Sequence, residues 1–296
     1  MFASEIQAPR VGGHGRCLVG MRGRGLVVVA MALVGSFTTL VSASSALAEP
    51  TGIFKVFEEC PRGTPGIVDC VFGRITGGEF AIGGARIPID KTLTLQVGEM
   101  SAGNPENEAE YFGLPAKNGE SLSKTELNVP ANLFGLEVTV RPELVSSKER
   151  QLIINEFALT REEGAGLTLP LRFHLKGPFL GESCYIGSES DPAQLRLTTG
   201  ETHPPKGFSP LHGKAGTVSG LQENGHDLLH LTGLSLVDNT FSLPGVEGCG
   251  EGVSSRLLDM ILDEILKIPN KAGENAAVLR AEMEIVSPEE LTASER

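Results

Sequence analysis

The stretch L-T-L-P-L-R-F-H-L-K, residues 167–176, alternates along its whole length. Leu167, Leu169, Leu171, Phe173 and Leu175 share one parity; Thr168, Pro170, Arg172, His174 and Lys176 share the other. Successive side chains of a strand point to opposite faces, so the pattern predicts a strand with one face buried and one wet. Pro170 has no N–H to give to a ladder, which predicts an edge position or a bulge there.

Similar patterning extends in both directions. Upstream, Ile87, Ile89, Leu93, Leu95 and Val97 share a parity, as do Phe134, Leu136, Val138 and Val140, and L-I-I-N-E-F-A-L (152–159) is another strand-like run. I-V-D-C-V-F-G-R-I-T (67–76) and E-F-A-I (79–82) read as a hairpin turning at Gly77-Gly78. Downstream, residues 194–197, 216–220, 227–232 and 234–243 are short strands, with Asn224-Gly225 as a turn. Many short strands with turn signals predict a mainly β fold, a β-sandwich or β-barrel-like domain. The period changes once. Leu257, Leu258, Ile261, Leu262, Ile265 and Leu266 follow helical spacing, with Ser254 or Ser255 as cap and Pro269 as stop. This predicts one C-terminal amphipathic helix covering an end or face of the sheets. Residues 49–280 thus read as one β-rich domain. Within it, the polar, turn-rich span 98–130 reads as a long surface loop region, and 281–296 as an acidic flexible tail.

Residues 1–48 read as a signal peptide. Arg10, Arg16, Arg22 and Arg24 form a basic start, Leu26–Leu40 is apolar, and Ala46-Leu47-Ala48 supplies small residues for cleavage after Ala48. Cleavage removes those four arginines and Glu5, so the net charge of −12 becomes −15. That balance argues against nucleic acid, which demands a basic footprint. No later apolar run approaches the ~20 residues of a spanning helix, so no transmembrane segment is predicted in the mature chain.

Cys17 leaves with the signal, and Cys60, Cys70, Cys184 and Cys249 remain. An even count in an exported chain reads as disulfides, with three possible connectivities. Cys60–Cys70 and Cys184–Cys249 are favoured. The first closes a Pro/Gly-rich loop that already folds back, and the second closes a long loop worth about 3–4 kcal/mol in the chain-entropy model.

Reactive motifs are weak. H-D-L-L-H (226–230) approaches the zincin H-E-x-x-H, but its flanks read as strand and its Asp is one methylene short. His203 and His212 lie in a Pro/Gly-rich loop, where they could join His226 and His230 only as an adventitious metal patch. In G-T-V-S-G (216–220) the serine is misplaced for a nucleophile elbow. No catalytic residue, cofactor or metal site is assigned.

The segments C-Y-I-G-S (184–188), L-T-T-G-E-T-H-P-P (197–205), L-V-D-N-T-F-S-L-P (236–244) and G-C-G (248–250) resemble a group of uncharacterised secreted proteins of actinobacteria. G-G-E-F-A-I-G-G (77–84) and I-P-N-K-A-G-E-N-A-A-V-L (268–279) resemble the same group. The resemblance implies export and carries no catalytic residues. The expectation is a secreted, non-catalytic protein of the extracellular space or cell envelope, a structural or interaction module whose partner is an unknown protein or envelope component. A carrier of an apolar, lipid-like molecule inside a barrel is the alternative, and a secreted hydrolase the third.

Overall fold

The predicted strand at 167–176 is the most connected element of the sheet. In the computed structural model, which describes residues 49–103, 109–130, 135, 137–145, 151–250 and 255–295, Leu167–Lys176 pairs with four other strands. The predicted signal peptide with its predicted cleavage after Ala48, and Phe134, Leu136 and Ser254, lie outside the described residues.

In chain order the strands are β1 (Ile67–Ile82), β2 (Ala85–Pro88), β3 (Leu93–Ser101), β4 (Glu110–Pro115), β5 (Leu127–Asn128), β6 (Thr139–Leu144) and β7 (Ile153–Asn155), then β8 (Leu167–Lys176), β9 (Tyr185–Ile186) and β10 (Ala193–Leu197). They continue with β11 (Thr217–Glu223), β12 (His226–Asp238), β13 (Val246–Glu247) and β14 (Ala276–Val286). Among the described residues there are three α-helices: α1 (Glu156–Arg161) and α2 (Ser255–Leu266) between strands, and α3 (Pro288–Ala293) after β14. A 3₁₀ turn, Gly52–Phe57, precedes β1. All pairings are antiparallel, and the main path runs β11-β12-β14-β1-β3-β4-β7-β8-β6-β5. The sheet curls back on itself. Past the end of β10, Thr198 exchanges two 2.9 Å backbone hydrogen bonds with Val237 of β12. That contact is one isolated bridge, so the barrel-like sheet is not closed by a continuous ladder.

The inward rows form the core. Leu167, Leu169, Leu171, Phe173 and Leu175 of β8, and Leu93, Leu95 and Val97 of β3, are all buried, as are Ile87 and Ile89 at β2. The opposite face of β8 is drier than alternation implies. His174 is buried beneath Tyr185, with ring centroids 4.4 Å apart. Pro170 is at neither an edge nor a bulge. It faces Gln194 of β10, and on its other side it sits where β8 exchanges β7 for β6, so its missing N–H falls at a change of neighbour.

Several expectations are corrected. Residues 67–82 form one strand, not a hairpin. The register against β14 slips at Thr76, between Ile75 and Gly77, so the glycines follow a β-bulge inside one strand, and the turn comes later, at Gly83-Gly84. Gly78 has φ +114°, and a Cβ there would lie 1.9 Å from the Val278 carbonyl oxygen. The run 152–159 is a strand only to Asn155. The Asn155 side chain then accepts a 3.0 Å bond from the Ala158 N–H and starts α1. The span 98–130 is not one long loop: it contains the end of β3, β4 and β5, and it buries Glu99, Ala109, Ala116, Ser121 and Leu127. Nor are residues 281–295 a flexible tail. Ala281, Met283 and Ile285 extend the inward row of β14, which lies between β1 and β12. Ser287 then caps α3, which buries Leu291. Leu291 joins Phe54, Phe57 and Leu228 in a second apolar cluster around Cys60–Cys70, on the outer face of β1 and β14. The 49–66 segment, patternless in sequence, supplies its two phenylalanines.

The disulfides are Cys60–Cys70 and Cys184–Cys249, with Cα atoms 5.7 and 4.1 Å apart. The second links the start of β9 to the end of β13, close before α2. Asp263 and Asp259 of α2 accept the Val246 and Cys249 N–H groups at 2.7 and 2.9 Å, and the Leu266 carbonyl accepts the Gly84 N–H at 2.6 Å. The helix therefore sits between the β1–β2 turn and β13. Leu262 and Leu266 are its buried residues, while Leu257, Met260 and Ile261 stay exposed.

Replacing Cys184 and Cys249 together by Ser is expected to cost about 4 kcal/mol, and so to lower the melting temperature by on the order of 10 °C. Thermal melts of the oxidised proteins test this; equal melting would contradict it. Gly78→Ala is expected to cost roughly 2–3 kcal/mol. Gly73→Ala, whose Cβ would meet Leu95 at an ordinary 3.7 Å, should cost little.

Candidate functional site

The inward parity of β3 does not end at Val97. It continues to Glu99, which is fully buried. The inward row of β1 likewise ends in a carboxylate: Asp69 precedes Val71 there and pairs directly with Glu99. On the other side Glu99 pairs with Gly113 of β4. A side chain at 113 would collide with Leu152, whose Cδ2 lies 2.0 Å from the Cβ position, so apolar surface occupies that space. The chain then brings in Glu156. Capping by Asn155 turns the backbone after β7, and Glu156, the first residue of α1, projects from there.

Carboxylate oxygens of Asp69, Glu99 and Glu156 all lie within 4.8 Å of one another. Asp69 and Glu156 are half-buried. Neither oxygen of Glu99 has a hydrogen-bond partner, because the group within its reach, Glu156, is another acceptor. The two can hydrogen-bond only if one carries a proton. Burial and the neighbouring negative charges of Glu156 and Asp69 drive the Glu99 carboxyl well above its ordinary value. Asp69 is pushed up to about 6 by burial and by Glu289 of α3. Glu156 is likewise pushed up to about 6 by burial and by the charge of Asp69. Tyr111 of β4, on the same face as Glu99, has its hydroxyl pKa raised by burial and by the three carboxylates.

A second group of polar side chains lines an open cleft of about 430 Å³ beside β6 and β8. Burial raises the Glu143 carboxyl, but hydrogen bonds from Arg141 and Arg172 outweigh it and hold the group below its usual range. The Arg172 guanidinium lies over the Tyr185 ring at 4.3 Å, and Arg141 Nη2 is 3.0 Å from His174 Nδ1. The nearby hydroxyls are engaged: Ser121 accepts the Ala116 N–H, and Ser123 accepts the Thr94 N–H. The cleft thus offers paired charges and an aromatic face.

The residues singled out in the sequence do not converge. His226 and His230 both lie on strand β12. His226 Nδ1 is 3.1 Å from Glu290 of α3, and His230 faces Glu282 of β14 at 3.8 Å. The Ser219 hydroxyl donates to the His230 carbonyl at 3.3 Å and not to its imidazole. His203 borders a different cleft with Arg196 and Asp238, while His212 bridges to Glu201. Among the described residues no histidine belongs to a metal-spaced group, and no helix is long and apolar enough to cross a membrane. The carboxylate trio was missed in the sequence because its members are 30 and 57 residues apart. The available signal was parity, since Asp69 and Glu99 each continue an apolar inward row.

No family model, curated protein or solved structure matches this chain.

The trio fixes the sign of a pH effect. In the unfolded chain these groups lose their protons near ordinary carboxylate values, whereas in the folded chain they hold them to about 6 or above. The folded state therefore binds more protons across that window, and stability falls as pH rises through it. In chelator-treated buffer the melting temperature is expected to drop by several degrees between about pH 5 and about pH 7, at roughly 2–4 °C per kcal/mol. Glu99→Gln should flatten that drop. A melting temperature that rises over the same range in wild type would contradict this assignment.

Proposed function

We propose that the protein is exported and acts without catalysis, as an interaction module of the cell envelope or extracellular space. The observation that carries this reading is the filled interior. Phe80 and Phe173 meet edge to face at 5.6 Å within the core. Ile82, Leu93, Leu195 and Leu197 are buried in the same cluster. A lipid carrier needs apolar space between its inward rows, and these side chains take up that space themselves. The polar groups that converge do so outside, in the open cleft of Arg141, Glu143, Arg172 and Tyr185. There both arginines pair with Glu143 and Arg172 also reaches Glu189 at 3.3 Å, so the charges are already paired, which suits recognition of a surface more than activation of a nucleophile. Export is supported by two disulfides, which persist in oxidising compartments, and by the signal-like pattern of residues 1–48.

Expressed with its own first 48 residues, the protein should appear outside the cytoplasm, begin at Glu49 and contain no free thiol. Organic extraction of that material should release no stoichiometric lipid. An unprocessed cytoplasmic chain would overturn export. One lipid molecule released per chain would overturn the interaction-module reading in favour of a carrier.

A further inference from the structure

We propose that Asp69, Glu99 and Glu156 together bind one divalent cation, calcium in the exported protein. The trio is more than an acidic cluster because of Glu99. Its carboxyl is fully buried, points at the other two, and has no hydrogen-bond partner. A buried charge that lacks both a donor and a counterion is strongly disfavoured. Its immediate neighbours deepen the problem, since both carry negative charge. A cation at the centre of the three supplies the missing counter-charge and gives the Glu99 oxygens a partner.

The spacing suits this role. Oxygens that share one calcium ion at about 2.3–2.6 Å lie at most about 5 Å from one another. The three carboxylates satisfy this, with their oxygens within 4.8 Å. The donors are all hard oxygens, which excludes the soft metals that prefer thiolate or imidazole. Three carboxylates, each able to bind through one or two oxygens, suit calcium better than magnesium, which keeps more of its water. The oxygen-only site stands on geometry alone, while the choice of calcium among hard cations rests on the exported reading above. Bound there, the ion would join β1, β3 and α1, elements far apart in sequence. It would hold them beside Cys70, where the first disulfide already anchors β1.

The competing arrangement is a proton shared by Glu99 and Glu156, which needs no metal. Calorimetric and thermal titration of the chelator-stripped mature chain separates the two. Calcium is expected to bind one to one and to raise the melting temperature by about 5–10 °C at a hundredfold excess over its dissociation constant. Glu99→Gln keeps the side-chain shape and removes the buried charge. It should melt no lower than wild type without calcium, and should not respond to calcium. Terbium gives a second readout, because the chain has no Trp and only two tyrosines. Tyr111 should sensitise terbium emission. Tyr111→Phe should abolish that emission and keep the calcium-induced rise. The cation site is overturned if calcium, magnesium and manganese all leave heat and melting unchanged, or if Glu99→Gln responds to calcium as wild type does. Binding of manganese with no response to calcium overturns the calcium assignment alone.

Discussion

The central strands of this sheet share one constraint: whatever occupies an inward position on them is sealed from water. β8 meets it with four leucines and a phenylalanine, β3 with Leu93, Leu95 and Val97, and β14 with Ala277, Leu279, Met283 and Ile285. At roughly 25 cal/mol for each Å² of apolar surface removed from water, these rows are the main force holding strands that are distant in sequence. Glu99 sits under the same constraint without the chemistry to satisfy it. It is sealed like its apolar neighbours, yet it carries a group that must be neutralised or coordinated.

The rest of the architecture protects those rows where the sheet itself does not. The circuit returns to its start through one two-bond bridge, Thr198 to Val237, so the sheet cannot rely on a closed ladder. Covalent and polar links compensate at the margins. Cys184–Cys249 fixes the short β9–β13 pair, and Asp259 and Asp263 hold the backbone just before α2. At the far side, Cys60–Cys70 and the ion pair of Arg62 with Glu295 fasten the N-terminal segment and α3 over the outer face of β1. The carboxylate trio lies on the inner face near this second fastening point, where β1 enters the core.

Much of the fold was legible in residues 87–97, 167–176 and 257–266, where a long and regular pattern admits one period. Elsewhere one local signal serves two structures. Gly77-Gly78 has the composition of a turn, but here the positive φ of Gly78 is used inside a continuous strand, just past the bulge at Thr76. Asn155 lay hidden inside an apolar run, although Asn is a strong helix cap. β14 was missed because its outward positions, Arg280, Glu282 and Glu284, gave the segment the look of a charged tail. Those charges are explained across the sheet, where Arg74 of β1 reaches Glu282 and Glu284 at 2.5 Å. Cysteine pairing was readable because loop length and Pro/Gly content favoured one connectivity. The trio was not, because strand pairing, absent from any local window, brings Asp69 to Glu99.

The central claim is that a buried carboxyl in the core face is completed by a cation. Crystals of residues 49–296 grown with calcium test it most directly, through an anomalous difference map. The predicted result is one peak among Asp69, Glu99 and Glu156, with an oxygen of each about 2.3–2.6 Å away. A map with no peak there, and with Glu99 and Glu156 in direct contact through a shared proton, would contradict it.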